Sequence, residues 1–165
     1  MDASAKSPPR LDEQLRALPI LPDRAVSADS VPWVRLSDGV DYKPLRFDFA
    51  TGVWVNVLRV APGARLGRHR HNGGPVLGYC LAGRWWYLER EWVAEVGTFV
   101  YEPPGDIHTL VAGPEGMTTL FVTDGVLQFF DEHDRLDHED NAFSRYQGYV
   151  DHCHAHDLEM VDLTF

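Results

Sequence analysis

The sequence predicts an all-β fold, a sandwich or barrel built from short strands. From Thr51 to Phe130, segments rich in β-branched and aromatic residues follow one another. Several of them alternate between apolar and polar side chains, and glycine or proline turns separate them at intervals of about 8–12 residues. The 165 residues, 44% of them hydrophobic, are enough for one domain with a real core.

Each element has its own signal. Residues 1–30 form an N-terminal arm, polar and proline-containing, in which Leu11–Leu18 has the leucine pattern of a short helix ended by Pro19 and Pro22. The barrel is expected over residues 31–130. Trp54–Val60 (WVNVLRV) is an alternating strand, and APGA turns the chain after it. PVLGYCL, WWYLE, TFVYE and IHTLV follow as further strands, and MTTLFVTDGVLQFF supplies the last pair, bending at Asp124-Gly125. The tail, residues 131–165, turns acidic and histidine-rich, and NAFSRYQGYVDHCHAHDLEM has the composition of a helix broken or weakened at Gly148.

Fifteen basic against 25 acidic residues give a formal charge of −10. That balance disfavours non-specific binding to nucleic acid or to anionic membranes. No run of about 18 apolar residues predicts a membrane span, and the first residues lack the apolar core of a signal peptide. The two cysteines, Cys80 and Cys153, are far apart and in no CxxC pattern, as expected of reduced thiols in a cytoplasmic protein.

The chemistry is concentrated in GARLGRHRHNGGPVLGYCLAG (Gly63–Gly83) and in GTFVYEPPGDIH (Gly97–His108). On a strand, residues i and i+2 point to one face, so His69 and His71 project side by side into one interior. His108 opens another strand after the Pro-Pro-Gly turn and is placed to face that pair. Neutral imidazoles are common ligands for first-row transition metals, and three of them leave positions open for a substrate. Arg70, between the two histidines, is expected on the opposite face.

These two spacings resemble the paired signature motifs of the cupin superfamily, a double-stranded β-helix or jelly-roll barrel. The resemblance implies that His69, His71 and His108 bind a divalent metal inside the barrel. It departs from the pattern at Val76, where the family usually carries a glutamate ligand, and at Ala112, where an asparagine is usual. The implied ligand set is three histidines without a carboxylate, which leaves the metal its full +2 charge and favours an anionic chelating substrate such as an enolate. A narrower resemblance, over most of residues 32–130, is to the subgroup of 2,4'-dihydroxyacetophenone dioxygenase and, more distantly, acetylacetone-cleaving dioxygenase. It implies Fe(II), with zinc or nickel also acceptable to three imidazoles, and cleavage by O2 of a carbon–carbon bond next to a carbonyl in a small hydroxyketone or β-diketone. Other metal-binding cupins are sensor or anti-sigma modules, so a regulatory cupin without turnover stands as the alternative. A homodimer or higher homo-oligomer is expected.

Glu102 shares a strand face with Val100. If that face is inward, its carboxylate is the candidate acid/base or the group that orients a ligand; otherwise it is an exposed glutamate before a turn. His152 and His156 lie at i,i+4 on a helix, but the zinc-protease glutamate is absent between them, and a solvated helix end is expected. Cys80 is expected to line the interior as a small apolar residue. RWWYLEREW reads as core or dimer interface.

Overall fold

The computed structural model describes residues 23–165. The helix expected over Leu11–Leu18 lies outside the described residues. A 3-10 turn at Ala28–Ser30 leads into strands β1 (Val34–Ser37), β2 (Val40–Phe47), β3 (Val53–Val60), β4 (Arg65–Tyr87), β5 (Ala94–Glu95), β6 (Phe99–Glu102), β7 (Ile107–Phe130) and β8 (Leu136–Asp140). Helix α1 (Ala142–Ala155) follows. The strands form one antiparallel sheet in the order β1-β2-β3-β7-β4-β5, with β6 also on β4 and β8 also on β7. This is the cupin double-stranded β-helix that the sequence predicts.

The segments expected as separate strands on either side of Gly73-Gly74-Pro75 belong to one element, β4, and those on either side of Gly116 belong to β7. Register shifts interrupt their mutual ladder, between Gly73 and Val76 and between Gly83 and Trp85 among other places, and let each strand bend without losing its pairing. The result is a wrap. Val111 pairs with both Arg65 and Trp86, and His69 pairs with both His108 and Phe129. Gly83 makes one of these bends possible: it has φ +67°, and a Cβ there would stand 2.0 Å from the Gly116 carbonyl oxygen.

Alternation places the core. On β3, Trp54, Asn56, Leu58 and Val60 are buried. On β4, Val76, Gly78 and Cys80 face inward, as does the pair Trp85 and Tyr87, while Tyr79 and Leu81 are exposed. RWWYLEREW therefore contributes Trp85 and Tyr87 to the core. Tyr79, Phe99 and Tyr101 form part of an exposed apolar face where β4 meets β6.

The tail holds a strand that its acidic composition hides: β8 pairs with the end of β7. Helix α1 begins with a capping box, in which the Asn141 side chain accepts from Phe143 and Ser144 N–H while the Ser144 hydroxyl accepts from Asn141 N–H. The helix runs through Gly148, so of the two expectations there, a break or a weakening, the break does not occur. Glycine stands there because the Tyr42 hydroxyl, which donates to the Arg145 carbonyl at 2.7 Å, comes within 2.8 Å of where a Cβ would be. No described helix is long and apolar enough to cross a membrane.

Candidate metal centre

The three histidines named by their spacing meet. His69 and His71 come from the first turn of the wrap on β4 and His108 from the start of β7, and all three are at most 3% exposed. Their ligand atoms lie within 4.8 Å of one another, the metal-type cluster found among the described residues. Ring centroids are 4.7–5.1 Å apart. Arg70 points away, and its guanidinium donates to Gln128 Oε1.

Orientation and charge both suit a cation. The His69 Nδ1–H donates to the Gly67 carbonyl at 2.7 Å, which leaves the Nε2 lone pair free. The Nε2 atoms of His71 and His108 are 3.1 Å apart. Two ligands at right angles on an ion about 2.1 Å away would be separated by about 3.0 Å. At that distance two facing lone pairs repel unless a proton or a cation lies between them, and a metal ion held by both nitrogens would meet that need. Burial, reinforced by the neighbouring rings, pushes the pKa of His69 down to about 3 and that of His108 down to about 2. Both rings are therefore neutral at neutral pH, the form in which an imidazole can bind a metal. Tyr87 stacks on His108 at 3.8 Å between centroids and fixes the ring's plane.

Glu102 is 3% exposed, with Oε2 2.7 Å from His71 Nε2 and 3.5 Å from His108 Nε2. It is the cross-strand partner of Val76. Where the usual motif has a glutamate on β4, this chain has valine, and the carboxylate arrives from β6 instead. It stands beside the histidine cluster, so the surroundings of the three ligands are not free of acid, and the expectation of an uncompensated +2 charge needs that correction. The Tyr87 hydroxyl neighbours the carboxylate; burial first, then that negative charge, holds the phenol well above its usual pKa.

A cavity of about 30 Å³, room for roughly one water, lies against Glu102 and Tyr87. Its other polar walls are Asn56, Thr123 and Arg145. Sequence reasoning missed Asn56 and Arg145. A polar residue on the buried face of WVNVLRV was a visible signal; an arginine in a polar helix was not. A wider depression, about 380 Å³, opens elsewhere around Arg35, Asp41, Arg59 and Glu115 and holds none of the histidines.

His152 and His156 do share a helix face, with rings stacked at 4.2 Å, but no third ligand joins them among the described residues. Cys80 and Cys153 are buried free thiols whose pKa values burial raises, which makes them poor nucleophiles.

A family model described as the ChrR cupin-like domain matches residues 22–128. The chain belongs to that cupin family. Among solved structures, this cupin is similar to an RmlC-like cupin protein from Ralstonia eutropha JMP134, at 26% identity over 94% of this chain and 99% of that one, with a TM-score of 0.83. It has the fold of an acetylacetone dioxygenase from Acinetobacter johnsonii, at 16% identity, covering 92% of this chain and 99% of that one, TM-score 0.70. It also has the fold found in Rhodobacter sphaeroides SigE in complex with the anti-sigma ChrR, at 23% identity over 58% of this chain and 50% of that one, TM-score 0.51. No curated protein sequence matches the cupin.

Proposed function

We propose that this cupin is a mononuclear non-haem iron dioxygenase that cleaves a carbon–carbon bond next to a carbonyl in a small hydroxyketone or β-diketone. The observation that carries the reading is the meeting of three buried imidazoles, two of them held neutral by burial, beside the buried carboxylate of Glu102. His69, His71 and His108 would hold the metal. When bound, Fe(II) supplies the Lewis acidity and the O2 chemistry. The chain's own residues do the rest. Gly67 and Tyr87 fix the ring orientations of His69 and His108. Glu102 takes the proton released as the substrate enolises and holds it on its carboxylate. Trp54, Leu58, Phe121 and Leu127 give the neighbouring cavity its apolar walls.

The second reading is a metal- or ligand-binding regulatory cupin without turnover. The match to the ChrR cupin-like domain and a cavity of about 30 Å³, too small for a diketone unless side chains move, support it. One experiment separates the two. Metal content is measured after purification and again after anaerobic iron loading, and O2 consumption is followed with acetylacetone and with 2-hydroxyacetophenones. Substrate-dependent uptake by the iron-loaded protein is the expected result. Full iron occupancy without it would transfer the protein to the regulatory class.

A further inference from the structure

Two rows of apolar side chains cross the outside of the sheet. The ladder aligns Val55 of β3, Val122 of β7, Leu77 of β4 and Tyr101 of β6 as successive cross-strand partners. Two residues along each strand, Val57, Leu120, Tyr79 and Phe99 repeat the arrangement. The residues between the rows, Asn56, Phe121, Gly78 and Val100, are all buried. The rows therefore lie on the face turned away from the core, where an antiparallel sheet normally carries polar residues. At the β3 end this face is shielded by the chain before β1. Lys43, the β2 partner of Val57, donates to the Ala28 carbonyl at 2.6 Å, the Trp33 ring lies against Lys43 and Arg59, and Val57 is buried. Among the described residues nothing shields the other end, where Tyr79, Phe99 and Tyr101 are 46%, 62% and 59% exposed.

We propose that a second copy of this chain packs on the uncovered half of the face, sheet against sheet about a two-fold axis. Size, shape and charge favour that occupant. Taking about 200 Å² for a whole aromatic side chain, the three rings alone expose roughly 300 Å². Leu81, next in the β4 series, and Val93 and Val96 are exposed as well. They carry the patch past what a monomer ordinarily shows and towards the roughly 800 Å² per partner of a stable interface. A two-fold contact also needs a surface complementary to itself. Here a hollow of about 290 Å³, lined by Trp92, Val93, Phe99 and Tyr101, lies beside Tyr79 and Leu81, so that each copy can seat those two side chains in the hollow of the other. Each copy has a formal charge of −10, and two such copies meet at least electrostatic cost through an uncharged patch. Beyond it, Arg84 and Glu95 stand opposite each other on β4 and β5, so both signs of charge are present where the face ends.

The contact is independent of the metal chemistry, and its test reads association alone. Sedimentation velocity of the full chain over a micromolar dilution series should show twice the chain mass. Phe99→Lys sets like charges against each other at the contact and should weaken association at least about thirtyfold. Tyr101→Lys should do the same. Phe143→Lys is the control: Phe143 is 61% exposed but stands on helix α1, and this variant should associate like the unaltered protein. Thermal melts identify any variant that fails to fold, and the other β6 variant then decides. A monomer throughout the series overturns the proposal and leaves the face to residues 1–22 or to a different protein. A dimer that withstands the folded β6 variants, or that Phe143→Lys weakens as much, overturns it by placing the contact elsewhere.

Discussion

Replacing Gly148 by alanine tests how helix α1 is seated, because two opposing effects can be sized. In a helix interior the change alone is favourable by about 1 kcal/mol. Here the new Cβ would sit 2.8 Å from the Tyr42 hydroxyl, in a side chain only 2% exposed whose hydroxyl already donates to the Arg145 carbonyl. Displacing that hydroxyl leaves a buried polar group unpaired, which costs about 1–3 kcal/mol. The net effect of Gly148→Ala is therefore a loss of about 1 kcal/mol. In a Tyr42→Phe background the obstructing oxygen is gone, and the nearest ring carbon stands 4.0 Å away, an ordinary contact. There the same substitution should stabilise, by up to about 1 kcal/mol, giving a coupling of about 2 kcal/mol between the two positions. Urea unfolding of the four proteins, with equal slopes, measures the cycle. A stabilising Gly148→Ala in the presence of Tyr42 would refute the packing argument, and with it the placement of Arg145 by that helix.

Other predictions address the metal centre and the wrap. His69→Ala should weaken metal binding at least about 100-fold, read as metal content after dialysis; full retention contradicts the three-histidine assignment. Glu102→Gln should keep the metal while lowering turnover about 100-fold or more; loss of the metal instead would make the carboxylate a ligand. The metal-free protein should lose stability in acid. Burial lowers the pKa of His69 to about 3 and of His108 to about 2, from about 6.5 in an unfolded chain. The unfolded state therefore binds more protons below pH 6.5, and this contribution, complete above that value, drains as pH falls towards 3 and 2. Urea midpoints that do not fall between pH 7 and pH 5 would contradict it. Gly83→Ala has no room, since its Cβ would meet the Gly116 backbone at 2.0 Å. It should cost more than about 3 kcal/mol or prevent folding, as judged by circular dichroism.

The readings that rested on local periodicity carried over directly. Alternation along WVNVLRV put Trp54, Leu58 and Val60 inside, and the same rule turned His69 and His71 inward and Arg70 away. Readings that needed a turn to end a strand did less well. Gly73-Gly74-Pro75 and Asp124-Gly125 bend strands that continue, because ladder partners on both sides hold the backbone through the bulges. At Gly148 the helix continues where a break was one expectation, and the reason for glycine there shows only against Tyr42, more than a hundred residues earlier in the chain.

By itself, the order of residues determined which side chains share a face and which spacings suit a metal, since both follow from the two-residue repeat of a strand. Tertiary structure alone decided that Glu102 pairs across the ladder with Val76 and reaches the histidines, that Tyr87 stacks on His108, and that Arg145 and Asn56 line one cavity. Those pairings depend on strand register and on how a distant helix docks. Each is the joint outcome of many weak contacts, and no short stretch of sequence contains it.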